Sequence, residues 1–127
     1  MRLRQVGFFR ELAHGDPDGP SLRDAVREAP PSERERIANY LQAGNAFAVT
    51  GMAVDDVLDP DRTNIAELMT MTDGEWEWPS DLLYYFEEYN VAIPEDFVGH
   101  MRARNWTPPS LSDDELIALA NEVFGEG

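Results

Sequence analysis

The chain has 127 residues, no Cys, and a formal net charge of −15 at pH 7 from 25 Asp or Glu against 10 basic residues. A chain of this length buries roughly two-thirds of the surface its unfolded form exposes, so residues 1–127 are expected to form one domain with a real core. The missing Cys excludes disulfides, thiolate nucleophiles and Cys-ligated zinc, and the acidity disfavours nucleic acid and anionic membrane as partners.

All ten basic residues are Arg, and seven of them, balanced by seven acids, precede Leu41; from Leu41 onward 3 Arg face 18 acids and carry the whole net charge. No apolar run approaches the ~20 residues of a bilayer span, and the opening MRLRQVGFFREL does not read as a signal peptide, so a cytoplasmic protein is expected.

In chain order, the turn-rich HGDPDGP is followed by Ser21 in SLRD and Ser32 in SERE. In each, the hydroxyl can cap an early helical N–H and the acid three residues on favours the positive end of the helix, predicting helices over 21–28 and 32–43. Gly44 reads as the left-handed stop of the second. NAFAVTGM has a strand's composition, with Phe47 and Val49 on one side. The segment AVDDVLDPDRTN then reads as a crossing connection or a mobile flap.

Asp73-Gly74 between two alternating runs is a hairpin signal. A two-residue type I′ loop pairs Thr72 with Glu75 and Met71 with Trp76. Met69, Met71, Trp76 and Trp78 then share an inner face, leaving Glu75 and Glu77 on a polar outer one. Pro79 and Pro94 each read as the first helical residue of a segment with acids in its first turn. Leu82, Leu83, Phe86 and Tyr89 form the apolar stripe of one such helix, and Phe97, Val98 and Met101 that of the next. Residues 106–111 read as a stiff linker to a terminal helix over 112–124, capped by Ser112 and Glu115, with Leu116, Leu119, Ala120 and Val123 on its apolar face. The predicted class is α+β, a small antiparallel sheet of about three strands packed with four to five helices.

Three segments, GFFRELAHGDPDGPSL, then YLQAG, then TDGEWEWPSDLLYYFEEYNVAIPEDFVGHM, together resemble a block order found in small uncharacterised proteins of high-GC actinobacteria. The last begins with a TDGxWxWPSDLxYY pattern. The resemblance implies a bacterial cytoplasmic protein of that fold and brings no activity, cofactor or catalytic residue.

The candidate chemistries are incomplete. Glu75 and Glu77, separated by about 6.6 Å of strand rise, match the spacing of inverting glycosidase carboxylates, but parity points them away from the Trp pair that would stack a sugar. His14 with Asp16 and Asp18, and Asp55, Asp56, Asp59 and Asp61, lack metal-site spacing. A calcium loop begun at Asp59 would need Gly where Asn64 stands and Glu where Thr70 stands. His14 reads as a surface residue. Asp96, His100 and Arg104 recur on one helical face, where the carboxylate could orient the imidazole. No nucleophile elbow or phosphate loop accompanies them, so catalytic residues, metal and cofactor are all expected to be none.

The leading expectation is a non-catalytic interaction module whose acidic surface, formed by Glu75, Glu77, Asp81, Tyr84, Tyr85, Glu87 and Glu88, binds a basic protein partner. A basic toxin in an immunity pairing or a DNA-binding regulator would fit. Two alternatives stay open: a small enzyme or ligand-binding protein with a pocket between sheet and helices, and a homodimer with a self-complementary aromatic surface.

Overall fold

A computed structural model describes residues 3–124, with side chains through residue 122. Asp73 does not adopt the positive φ that a type I′ turn requires, and only Gly74 does, at φ 96°. The Asp73 Oδ1 instead accepts the N–H groups of Glu75 (2.9 Å) and Trp76 (2.8 Å), and the Thr72 hydroxyl donates to the Trp76 carbonyl at 2.7 Å while accepting the Gly74 N–H. These side-chain bonds replace the tight loop with a wider turn. Thr72 therefore faces Glu77 and Met71 faces Trp78, a shift of two residues from the expected register. A shift of two preserves parity. Met71, Trp76 and Trp78 are accordingly buried together, with Met69 half-buried against the same core.

The hairpin strands, β3 (Ala66–Thr72) and β4 (Trp76–Pro79), continue the expected antiparallel sheet from β2 (Asn45–Val54). A fourth strand corrects the strand count: β1 (Arg4–Gln5) pairs in parallel with β4, giving a mixed sheet in the order β1-β4-β3-β2. β4 thus lies inside the sheet, and all four of its residues are buried. Glu77, expected on an exposed polar face, is 4% exposed, with Gln5 of β1 and Thr72 of β3 paired on either side of it.

Helix α1 (Leu22–Ala25) begins as expected, with the Asp24 N–H donating to the Ser21 hydroxyl at 3.3 Å. It stops well short of residue 28, because the Ala25 carbonyl instead accepts the Ala92 N–H and the Arg27 N–H donates to the Tyr89 carbonyl. In α2 (Arg34–Ala43) the cap position is Glu33 rather than Ser32. Gly44 ends α2 at φ −60° and ψ 165°, not in a left-handed stop. Its missing side chain answers to packing, since a Cβ there would stand 2.4 Å from Trp78 Cζ2. Pro79 closes β4 instead of opening a helix; α3 (Asp81–Tyr89) follows Ser80 and ends at Asn90, whose left-handed φ is 54°. Pro94 caps α4 (Glu95–Ala103).

Phe97 of α4 sits at the centre of the aromatic core. Its ring stacks on Trp76 at 4.6 Å, lies 5.4 Å from Trp78 and meets Tyr40 of α2 edge-on at 6.1 Å. Complete burial of such a ring stabilises the fold by about 1.5–3 kcal/mol relative to leaving it exposed. Leu82, Tyr85 and Phe86 of α3 and Met101 of α4 extend this core.

The segment 106–111 is tied down. The Asn45 side-chain amide donates to the Thr72 and Pro109 carbonyls (3.1 and 2.9 Å), its Oδ1 accepts the Leu111 N–H (3.1 Å), and Pro108 is buried. The terminal α5 (Asp113–Phe124) packs against β2, and the Ser112–Glu115 capping box forms in both directions at 3.1 and 3.0 Å. The Val123 side chain lies outside the described residues. Among the described residues no helix is long and apolar enough to cross a membrane.

Candidate interaction surface and buried carboxylates

Glu77, Asp81 and Tyr85, three of the seven residues predicted to meet a partner, lie inside the molecule at 4%, 0% and 0% exposure. Glu75 is exposed at the hairpin and pairs with Arg104, the residue that ends α4. Tyr84 is half-buried, and its hydroxyl donates to Asp56 (2.7 Å) while accepting from Arg62 (3.1 Å). Glu87 and Glu88 are exposed near the end of α3, Glu88 being held by Arg62 at 2.8 Å. The seven residues therefore do not form one surface. Adjacency in sequence concealed the change of environment between the hairpin and α3.

The His100 row is wired differently from the helical-spacing expectation. Asp96 pairs with Arg4 of β1, whose guanidinium also lies over the Trp76 ring at 4.2 Å. His100 Nε2 instead approaches Asp73 Oδ2 at 2.9 Å, and the Arg104 Nε lies 3.2 Å from the same nitrogen. That nitrogen carries one hydrogen at most, so it either donates to Asp73 or accepts from Arg104. Asp73, 1% exposed, also accepts the Tyr40 hydroxyl at 2.6 Å. Burial, with the Asp73 hydrogen bond and charge added, pushes the Tyr40 hydroxyl well above the usual phenol range. Among the described residues no nucleophilic hydroxyl bonds the ring, so the cluster fastens the hairpin turn to α2 and α4 and lacks the parts of a catalytic triad.

A second buried carboxylate organises the segment between β2 and β3. Asp56, 3% exposed, accepts the hydroxyls of Tyr84 (2.7 Å) and Tyr89 (2.6 Å) and the N–H groups of Leu58 and Asp59. Burial pushes the Asp56 carboxyl up, but these hydrogen bonds outweigh it and hold the group below its usual range. The Tyr85 hydroxyl, pushed up to about 12 mainly by burial, accepts the Val57 N–H at 2.9 Å. Asp55, exposed beside it, accepts the Asn64 N–H at 2.9 Å. The connection is pinned to α3 at several points. Among the described residues no group of three or more His, Cys, Asp or Glu is placed to hold a metal.

His14, expected at the surface, has a side chain only 17% exposed and places Nε2 2.9 Å from Asp81 Oδ2. The distance is that of an ion pair, yet neither Asp81 oxygen nor the His14 nitrogen makes an aligned hydrogen bond. The close approach sets the residues around His14 against the first turn of α3. Near this segment, Gln5, Val6, Phe8, Pro20, Leu82 and Pro94 line a mostly apolar cavity of about 250 Å³.

Among the described residues, the large apolar side chains with more than half their surface exposed lie elsewhere, on β2 and α5. Val49, Met52 and Ile117 are 61%, 63% and 59% exposed. β2 is the edge of the sheet, and its pairing with β3 slips between Ala46 and Ala48 and again between Val49 and Ala53. Gly51 allows the second slip with φ 74°, and the Thr50 hydroxyl, donating to the Leu68 carbonyl and accepting the Met52 N–H, fixes it. Such bulges re-aim side chains, and here Met52 projects into solvent. An open cleft of about 370 Å³ lies between α5 and the start of β2, lined by Ala46, Phe47, Asp113, Leu116, Ile117 and Ala120. Asp113, Asp114 and Glu115 are exposed at the adjoining first turn of α5. Placing Phe47 and Val49 on one side of a regular strand missed this surface, because the strand is broken by register shifts. The signal that could have found it was Gly51 inside a strand pattern.

No family model matches this chain, and neither a curated protein nor a solved structure matches it.

Proposed function

We propose that this protein is a non-catalytic interaction module that binds a basic protein partner, and that β2 and α5 carry the contact. The observation that supports this reading is the coincidence of exposed Val49, Met52 and Ile117 with the acidic start of α5. Apolar groups at the centre of a contact supply affinity, while charges at its rim steer association. The distribution of cations supports it too: Arg4, Arg62, Arg102 and Arg104 are engaged with Asp96, Glu88, Glu33 and Glu75 within the chain. The remaining field over α5 is negative, which fits a partner such as a basic toxin or a basic regulator. A ligand-binding reading rests on the apolar cavity beside β1, but that cavity brings few converging polar groups.

The test compares capture from cell extract by the native protein and by a triple variant, Asp113→Asn, Asp114→Asn and Glu115→Gln, with bound proteins identified by mass spectrometry. The Gln retains the cap geometry. The reading expects basic proteins on the native form that are lost from the variant. Capture of acidic proteins, or of the same proteins by both forms, would contradict it.

A further inference from the structure

We propose that the cleft between α5 and the start of β2 receives an aliphatic side chain from an Arg- or Lys-rich partner segment, the flanking cations being taken by Asp113, Asp114 and Glu115. This rests on the interaction reading above and narrows it to one place and one partner chemistry.

The cleft's floor and walls are apolar except for Asp113, and its volume of about 370 Å³ is open to solvent. An open trough encloses too little of a free small molecule, whose sites bury most of the ligand's surface. It suits a side chain delivered by a larger body. Ile117 leaves over half its surface in water at the lip, and Val49 is likewise exposed farther along β2. The polar complement is one-signed: three consecutive acids, Asp113 to Glu115, occupy the helical turn beside the cleft.

Charge decides among possible occupants. A second copy of this chain would bring another −15 molecule and its own acidic α5 toward the same cleft, whereas a cationic segment gains from the field that repels the copy. A purely apolar segment would leave the acids unused and desolvate part of them at a cost. A segment with an aliphatic anchor between cations satisfies both components together.

The probe is a fluorescein-labelled peptide of four arginines around one central leucine, with a charge-matched peptide carrying glycine at the centre as control. Anisotropy titrations at low and moderate salt would use the full chain and its Ile117→Gln variant, which changes no charge at an exposed position. The leucine peptide should bind about tenfold more tightly than the glycine peptide, and Ile117→Gln should abolish that difference without altering binding of the glycine peptide. Equal binding of the two peptides, or a leucine preference that survives Ile117→Gln, overturns the cleft assignment while leaving the acidic reading intact. Failure of both peptides to bind even at low salt contradicts the acidic reading itself. Sedimentation of the unliganded protein completes the test: a dimer dispersed by Ile117→Gln would assign the cleft to a second copy and overturn the proposal.

Discussion

Replacing Gly44 with Ala isolates a steric contact on which the aromatic core depends. The backbone there, φ −60° and ψ 165°, is open to any residue, so Gly44→Ala introduces no dihedral strain. The new Cβ would stand 2.4 Å from Cζ2 and 2.9 Å from Cη2 of Trp78. Carbon atoms pack at about 3.5–4.0 Å, so the ring or the end of α2 must yield by about 1 Å. The ring has little room: Trp78 is 1% exposed, sits 5.4 Å from Phe97 and 6.2 Å from Tyr40, and donates Nε1–H to the Leu41 carbonyl at 3.2 Å. Overpacking of this kind costs about 1–3 kcal/mol. With roughly 2.1 cal/mol/K of unfolding entropy per residue, a loss of about 2 kcal/mol lowers the melting temperature of this chain by about 7 °C. Thermal and urea unfolding followed by circular dichroism would measure it. Gly51→Ala is the control, because its Cβ meets nothing within 4 Å and its cost is the left-handed φ alone, about 1–2 kcal/mol. A Gly44→Ala protein as stable as the native one would refute the steric argument.

Three other outcomes are expected. Asp73→Ala should lose about 3–5 kcal/mol by stranding the Tyr40 hydroxyl, His100 and two turn N–H groups, while Asp73→Asn keeps the acceptor for the turn and should lose clearly less; equal urea midpoints would contradict the anchoring role. Burial raises the Glu11 carboxyl, but bonds from the Leu22 and Arg23 N–H groups and the Ser21 hydroxyl lower it from 4.5 to about 2. Because the folded value lies below the unfolded one, its stabilisation is complete above about pH 4.5 and is lost as pH falls toward 2, so Glu11→Gln should flatten the acid stability curve in that window, and an unchanged curve would contradict the assignment. A Trp106→Phe variant should show blue-shifted emission, since Trp76 and Trp78 are 4% and 1% exposed, whereas emission like that of free Trp in water would contradict their buried face.

Side-chain parity and the helix caps at Ser21 and Ser112 were the legible parts of this fold. The inward face of Trp76 and Trp78 follows from period-two alternation and survives a register error of two residues, since only odd slips turn a strand over. The register itself was hidden because Asp73 was read by its backbone preference, whereas its carboxylate organises the turn. β1 has two residues and no periodicity to detect, and without it Glu77 looked exposed. The early end of α1 depends on bonds to residues 89 and 92, which no local pattern contains. For the surface, composition indicated the sign of charge from Leu41 onward but not which acids face water. Asp81 and Glu77 lie inside, and Asp113, Asp114 and Glu115 lie outside, a distinction set by tertiary packing alone.

The interaction reading is tested most directly by the association rate of a captured basic partner with the native protein and with the variant carrying Asp113→Asn, Asp114→Asn and Glu115→Gln, measured by stopped flow across a salt series. Steering by the acidic α5 predicts a native rate that falls steeply as salt rises, and a variant rate about tenfold lower at low salt with a shallower slope. Identical rates and slopes for the two proteins, with folding verified by circular dichroism, would contradict the assignment of this surface to partner binding.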